Sequence, residues 1–198
     1  IKNTIILFVI TLVAGICLGT VHDITLDPIA QAQEAAATKT YQEVYPDAAS
    51  FDEPQELADA VTAAADSISE WGFGKVTIND AKEALDASGN QIGYLITSTS
   101  AESYGGNVQI AVGISNEGEL TGIGFLSISD TPGLGMRAKE PDFKDQFIGK
   151  KAENLEVTKT GASADNQIEA ISGATITSKA VTNATDAAIY FVANCLAQ

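Results

Sequence analysis

Histidine and cysteine are nearly missing from this chain: among its 198 residues there are one histidine and two cysteines. The histidine is His22, and the cysteines, Cys17 and Cys195, lie near opposite ends, so we expect no disulfide between them. A Ser-His-Asp triad, a histidine-based metal site and a C-x-x-C redox pair all need residues that the chain does not supply. Most hydrolase mechanisms are therefore excluded, and we predict no catalytic side chain and no metal site.

Positive charge is also scarce. The chain has 11 Lys and Arg residues against 26 Asp and Glu residues, which gives a formal net charge of -15. Nucleic acids and anionic membrane surfaces are polyanions, so neither is an expected partner. Hydrophobic residues, by contrast, make up 45% of the chain. This content is high enough for a folded core, and the length suits one domain with an additional segment.

The longest hydrophobic run covers residues 3–21, which contain no charged side chain. A helix needs roughly 20 mostly apolar residues to cross the hydrocarbon core of a bilayer, so residues 1–22 are predicted to form a transmembrane anchor. A cleaved signal peptide is the alternative, but the apolar run is long for one. A lipoprotein site at Cys17 fits poorly, because Ile16 stands where a small residue is expected.

The charges on either side of this run predict its orientation. Lys2 precedes the run, whereas Asp23, Asp27 and Glu34 follow it. By the positive-inside rule, the N-terminus lies in the cytoplasm and the rest of the chain lies outside. The sequence thus predicts a single-pass protein of the cell membrane with an extracytoplasmic domain.

The rest of the chain is predicted to form a helical connector, residues 23–50, and a domain, residues 51–198. In the connector, Pro28 is predicted to open a helix that ends before Pro46. Further helices are predicted after Pro54, near residues 142–148 and over residues 178–196. Period-two patterning predicts strands at residues 75–78, 81–86, 91–98, 108–114, 120–127 and, briefly, 168–170. Hairpin turns between these strands predict an antiparallel meander in an α+β fold.

The stretch 171–178 (ISGATITS) places hydroxyl groups and a glycine at the predicted start of the last helix. The ordinary explanation is helix capping, with Thr177 as the N-cap residue. The alternative is a phosphate site or a covalent attachment point, because free N–H groups at a helix N-terminus stabilise an anion. In that case the hydroxyl of Thr175, just before the predicted helix, faces those N–H groups.

The stretch 130–135 (DTPGLG) also has two interpretations. It is either a plain Pro-Gly turn or a loop whose glycines let the backbone approach a flat ligand, with Leu134 packing on that ligand. It is not the G-x-G-x-x-G pattern of a dinucleotide fold. Tyr104, which precedes two glycines, similarly marks either a strand break or an aromatic ring that stacks on a ligand.

Residues 165–178 (DNQIEAISGATITS) resemble the attachment motif of the FMN-binding domain family, in which the last threonine of Ser/Thr-Gly-Ala-Thr carries FMN. The loop at 130–135 resembles the Glu-Thr-Pro-Gly-Leu-Gly element of that family, with Asp130 in place of the usual Glu and no histidine before the loop. A single anchor before an external domain is a third shared feature. The resemblance covers essentially the whole chain and is greatest to the G subunits of Rnf electron-transport complexes. The C subunits of sodium-translocating NADH:quinone oxidoreductases are related to them.

The resemblance implies an FMN-binding domain with a curved antiparallel sheet and packed helices, whose FMN is joined to Thr175 by a phosphoester that a separate flavin transferase installs. It also implies an anchored flavoprotein that relays electrons within an ion-translocating ferredoxin:NAD oxidoreductase, as one station beside the other membrane and soluble subunits. A quinone-reductase C subunit and a non-redox anchored binding module remain as alternatives. The candidate contacts of the flavin ring are Thr131, Gly133, Leu134, Gly135 and Tyr104. The candidate contacts of its phosphate are Ser172, Gly173, Ala174, Thr177 and Ser178.

Overall fold

The computed structural model describes residues 1–151 and 153–196. Their contacts divide the chain into two compact units, Ile1–Lys39 and Thr40–Gln198. The predicted connector, residues 23–50, therefore contributes to both units.

Helix α1 covers Lys2–Val44, and its residues up to Lys39 make up the first unit apart from Ile1. Its most apolar window has a mean hydropathy of 2.6 and is not buried, so α1 is a candidate membrane span by length and composition. Pro28 lies inside α1, so the prediction that a helix begins at this proline is wrong: the connector helix continues directly from the apolar run. A proline removes one backbone hydrogen bond, but the alanine-rich sequence that follows carries the helix through it.

The second unit is built on an antiparallel sheet of five strands in the order β1-β2-β3-β4-β5. The strands are β1 (Ser50–Asp52), β2 (Val76–Leu85), β3 (Gln91–Ser103), β4 (Gly106–Ser115) and β5 (Leu120–Ile128). The predicted α+β class and antiparallel meander are confirmed. The two strands predicted at 75–78 and 81–86 form the single strand β2, in which an irregularity of register between Ile78 and Asp80 interrupts the side-chain alternation.

The last turn of α1 and the residues after it lie on this sheet. The Thr121 hydroxyl donates to the Val44 carbonyl at 2.8 Å, and the Tyr45 hydroxyl donates to the Ile92 carbonyl at 2.7 Å. A Cβ atom at Gly124 would lie only 2.6 Å from the Val44 side chain, so glycine is needed for this approach. Residues 40–50 are thus part of the sheet unit.

The helices of this unit are α2 (Gln55–Ala65), α3 (Pro141–Lys144) and α4 (Thr175–Phe191), and a π-helical turn, Val192–Leu196, extends α4. Helix α3 continues into a 3-10 turn, Asp145–Phe147, over the region predicted as one short helix. Two short parallel strands, β6 (Glu156–Thr158) and β7 (Gln167–Glu169), lead towards α4. Helix α4 begins three residues before the predicted start, which changes the interpretation of its first turn.

Helix α4 is the centre of the core and packs against β3 and β4. Most of its residues are buried, including Val181, Ala184, Ala188 and Phe191 at helical spacing. The buried Ser98 hydroxyl of β3 donates to the Ala184 carbonyl at 2.9 Å and ties the helix to the sheet. This fixed position of α4 determines where its first turn emerges at the surface.

Candidate functional site

The first turn of α4 is not capped by a side chain. Its N-cap residue is Ala174, whose side chain cannot accept a hydrogen bond, and the helix begins at Thr175. Among the described residues, the backbone N–H groups of Thr175, Ile176 and Thr177 donate to no other group. The interpretation of Thr177 as the N-cap is therefore wrong, and the N–H donors at this helix end remain available to an anion.

Within the motif, the hydroxyl groups of Thr177 and Ser178 are already used. Both residues are 0% exposed. Ser178 Oγ accepts from the Ile171 N–H and donates to the Ala174 carbonyl, each at 3.0 Å, which fixes the turn before the helix. Thr177 Oγ1 donates to Asp130 at 2.6 Å. These two residues hold the shape of the motif, and neither hydroxyl has a proton left to donate to a ligand.

Thr175 differs from both. It is half-buried at the first position of α4, and its hydroxyl makes no hydrogen bond among the residues that the structure describes. The preceding Gly173 has a φ of +79°, a conformation that L side chains rarely adopt, and this glycine bends the chain into the helix. The motif thus presents one free, accessible threonine hydroxyl beside uncapped N–H groups.

Asp130 is the centre of a hydrogen-bond network that the sequence did not indicate. Its carboxylate accepts from the hydroxyls of Thr177 (2.6 Å) and Ser103 (2.8 Å) and from the Thr131 N–H (2.7 Å). Partial burial raises the pKa of Asp130, but these donors and the Gly105 N–H together hold that pKa below its ordinary value. The acid that precedes Thr-Pro-Gly-Leu-Gly was the only signal in the sequence, since the two hydroxyl partners, Ser103 and Thr177, lie 27 and 47 positions away along the chain.

The loop that follows Asp130 lies against the motif. The Leu134 and Met136 N–H groups both donate to the Thr131 carbonyl, at 3.1 and 3.3 Å, so the loop is a closed turn. Leu134 is 44% exposed, and its side chain comes within 3.2 Å of the position of a Cβ atom at Gly173. The structure therefore brings together the two stretches that the sequence singled out.

Three exposed apolar side chains stand on the segments that meet at Asp130. Tyr104, in the turn between β3 and β4, is 73% exposed, Leu134 is 44% exposed, and Ile176, next to Thr175, is 54% exposed. We call these three residues the apolar rim. Tyr104 and Leu134 are predicted ring contacts and remain predictions, whereas Ile176 was not among the residues predicted from the sequence.

A groove of about 260 Å³ adjoins the exposed Ser172. Its charged members include Arg137, which pairs with Glu140 at 3.2 Å. This groove could not be predicted from the sequence, because its walls come from separate segments: α3, the turns on either side of α3, and the end of β7 with the residues that follow it. Its lining residues are Arg137, Glu140, Asp142, Phe143, Gln146, Glu169, Ala170, Ile171 and Ser172.

These residues fit a flavin mononucleotide. The uncapped first turn of α4 and the free Thr175 hydroxyl suit its phosphate, and the apolar rim suits a flat ring. Gly133, with a φ of +75° and open space where a Cβ would lie, leaves the loop surface accessible. Among the described residues, no group of three His, Cys, Asp or Glu side chains could hold a metal ion.

Residues 103–190 match the FMN-binding domain family, a range that includes Ser103, Asp130, the loop and the attachment motif. The second unit therefore carries a domain of the FMN-binding class. The chain is 36% identical to the G subunit of the Na(+)-translocating ferredoxin:NAD(+) oxidoreductase complex of Acetobacterium woodii, over 98% of this chain and 91% of that protein. It is 34% identical to the G subunit of the proton-translocating complex of Clostridium ljungdahlii, over 58% of this chain and 67% of that protein.

The chain belongs to the family of G subunits of ion-translocating oxidoreductase complexes. This result confirms the resemblance drawn from the motif and the loop. Among solved structures, NqrC of Shewanella oneidensis is similar, with 19% identity, a TM-score of 0.47 and coverage of 56% of this chain and 54% of that chain.

Proposed function

We propose that this chain is an FMN-binding electron-transfer subunit of an ion-translocating ferredoxin:NAD oxidoreductase complex of the Rnf type. The family match over residues 103–190 carries the proposal, because it covers the whole candidate site. The Acetobacterium woodii relative, which is named for such a complex, aligns over 98% of the chain. Membership of the G-subunit family favours this function over a quinone-reductase subunit and over a non-redox binding module.

We propose further that FMN is joined to Thr175 through a phosphoester. Thr175 has a half-buried hydroxyl without a partner, whereas Thr177 and Ser178 in the same motif are buried and engaged. The ester forms when Thr175 Oγ1 bonds to the flavin phosphorus, loses its proton, and a leaving group departs from phosphorus. An activated donor, in which FMN is held in a phosphoanhydride, supplies that leaving group, and a separate flavin transferase catalyses the exchange.

A covalent bond retains FMN on a protein whose net negative charge disfavours the binding of an anion. The chain has a formal net charge of -15, so it repels an anionic cofactor at long range. An ester removes dissociation, and the uncapped N–H groups of Thr175, Ile176 and Thr177 offset the phosphate charge locally. Thr175 is therefore an anchor for the flavin, and the isoalloxazine ring supplies the redox chemistry.

The other candidate residues shape the space around the flavin. We assign Ser172, Gly173 and Ala174 to the surroundings of the phosphate, with Thr177 and Ser178 holding that turn in place. We assign Thr131, Gly133, Leu134, Gly135 and Tyr104 to the surroundings of the ring. Exposure of Leu134 and Tyr104 leaves the ring at the surface, where a neighbouring electron carrier can approach.

Helix α1 anchors the protein in this proposal. Its N-terminus lies in the cytoplasm, because Lys2 precedes the apolar run and acidic residues follow it. The FMN domain then lies outside the cytoplasm, beside the other subunits of the complex.

The mass of the intact protein tests the covalent proposal. The full chain is expressed with and without a flavin transferase and then denatured. We expect a mass increase equal to FMN less one water, together with flavin fluorescence that survives denaturation, only with the transferase and only when Thr175 is present. Thr175→Ala removes both signals, whereas Thr62→Ala, at an exposed threonine of α2, keeps them. Wild-type protein that stays unmodified beside an active transferase would refute the proposal.

A further inference from the structure

We propose that Asp130 is a positioning residue of the flavin site: its carboxylate joins three segments into one frame and holds a fixed negative charge beside the ring. This inference rests on the proposed function, because it assumes that a flavin occupies the site. Three observations support it, namely the hydrogen bonds of Asp130, the space around its carboxylate, and the lack of a cation near it among the described residues.

The hydrogen bonds of Asp130 connect segments that are distant in the sequence. Oδ2 accepts from Ser103, at the end of β3, and from Thr177, in the first turn of α4. Oδ1 accepts from the Thr131 N–H at the start of the loop. One carboxylate therefore sets the position of the loop relative to the helix turn that carries Thr175.

The Asp130 segment fits its position only because two neighbouring residues, Gly105 and Gly135, have no side chain. A Cβ atom at Gly135 would overlap the carboxylate itself. A Cβ atom at Gly105 would overlap the Ser129 carbonyl and would lie 2.7 Å from the Asp130 Cα atom. Both glycines have to lack a side chain for the Asp130 segment to sit where it does. The backbone on two sides is thus shaped to hold Asp130.

The negative charge of Asp130 has no cationic partner. Within residues 1–151 and 153–196, no Lys or Arg nitrogen lies within 4.0 Å of its carboxylate, and Arg137 on the adjoining turn pairs with Glu140 instead. The donors to Asp130 are neutral hydroxyl and N–H groups, which stabilise the charge without cancelling it. Because hydrogen bonds hold the pKa of Asp130 below its ordinary value, the group is ionised at neutral pH.

A fixed negative charge acts on the flavin through its electrostatic field. Adding an electron to the ring increases its negative charge, so a nearby carboxylate disfavours reduction and lowers the reduction potential. Asp130→Asn removes the charge but keeps a planar group of the same size, whose amide can donate to the Ser103 and Thr177 hydroxyls. We therefore expect this variant to raise the flavin potential while FMN remains attached.

The test compares three substitutions in the full flavin-bearing chain by potentiometric titration. Asp130→Asn removes the charge. Thr177→Val keeps the charge and removes one donor, so the potential should stay equal or fall. Asp86→Asn is the matched control, because the Asp86 carboxylate also accepts N–H donors of a turn, from Ser88 at 2.7 Å and Asn90 at 2.9 Å. Asp86 precedes β3, whereas Ser103 ends it, so the control charge lies at the other end of a strand of 13 residues.

A second readout needs no flavin. In the apoprotein, Asp130→Asn and Thr177→Val should each lower the midpoint of unfolding. The double variant should lose less than the sum, because Asp130→Asn weakens the charge-assisted hydrogen bond that Thr177→Val removes. If the decreases in the midpoint of unfolding add up in the double variant, Asp130 and Thr177 do not stabilise the fold through a shared contact, and the proposed positioning role of Asp130 is wrong. If Thr177→Val raises the potential as Asp130→Asn does, displacement and not charge is the cause, and the electrostatic part is wrong. Equal potentials in FMN-bearing wild type and Asp130→Asn would refute this inference alone, whereas absence of FMN from the wild type would refute the proposed function.

Discussion

The hydrogen bond between Thr177 and Asp130 should stabilise the folded protein more than the methyl group of Thr177 does. Thr177→Val removes the hydroxyl and keeps the shape of the side chain. Thr177→Ser keeps the hydroxyl and removes one methyl group. Because Thr177 is 0% exposed and its bond to Asp130 is 2.6 Å long, the pair of substitutions separates the two contributions.

The magnitudes give the two variants a definite order. A hydrogen bond to a charged group contributes about 1.5–3 kcal/mol. Asp130 is only partly buried and keeps its other donors, so the cost of Thr177→Val should lie near the lower end of this range. Loss of one buried methyl group costs about 1 kcal/mol, as in Ile→Val substitutions. At roughly 2–4 °C per kcal/mol for a chain of this size, Thr177→Val should lower Tm by about 3–6 °C, and Thr177→Ser by less.

Fluorescence of Trp71, the only tryptophan, measures this unfolding. Its ring lies 4.7 Å from the ring of Tyr190, at the far end of α4, so loss of the fold changes its surroundings. The measurement uses the full chain in detergent without flavin, so that only protein contacts contribute. If Thr177→Ser destabilised the protein as much as Thr177→Val or more, packing would dominate and the reasoning about Asp130 would be wrong.

Three further predictions concern other parts of the molecule. Burial raises the pKa of Asp186 to about 7, although the Leu155 N–H acts in the opposite direction, so its native carboxyl stays neutral at pH values where the unfolded one, with a pKa of 3.8, is charged. The free energy of unfolding should therefore fall as pH rises from about 4 to about 7, by up to about 4 kcal/mol, and chemical denaturation of Asp186→Asn should show this slope removed. Gly133→Val should leave the flavin mass on the protein but change the absorption spectrum or potential of the flavin, since valine strains the backbone at a φ of +75° and its bulk projects into the open space where we place the ring; an unchanged spectrum and potential would remove the loop from the site. Leu12→Asp, which costs about 2.5–3.5 kcal/mol at the centre of a membrane helix, should reduce the fraction that stays with membranes after an alkaline wash, whereas Thr38→Asp should not.

Local features of the fold could be predicted from the sequence. Alternating apolar residues predicted the strands of the meander, because side chains on neighbouring positions face opposite sides of a sheet. The break in this alternation at Asn79 divided β2 into two predicted strands, since a bulge interrupts the pattern without ending the strand. Pro28 similarly predicted a helix boundary, but α1 continues through it.

The candidate site was only partly predictable, because its contacts are not local. The Thr-Pro-Gly-Leu-Gly loop and the Ser-Gly-Ala-Thr stretch were recognised separately, but nothing in either predicted that Leu134 meets Gly173. Thr177 looked like a helix cap, and only the fold shows that its hydroxyl is used by Asp130, which lies 47 positions earlier. With the hydroxyls of Thr177 and Ser178 engaged, Thr175 carries the free hydroxyl in the first turn of α4.

The most direct test of the account locates the flavin within the chain. Cleavage after lysine releases the peptide that follows Lys159 and ends at Lys179, which contains Ser172, Thr175, Thr177 and Ser178 together. Fragmentation of this peptide from protein matured with a flavin transferase should place the FMN phosphoester on Thr175. A flavin on another hydroxyl of the peptide, or an unmodified peptide from fully matured protein, would contradict the central claim.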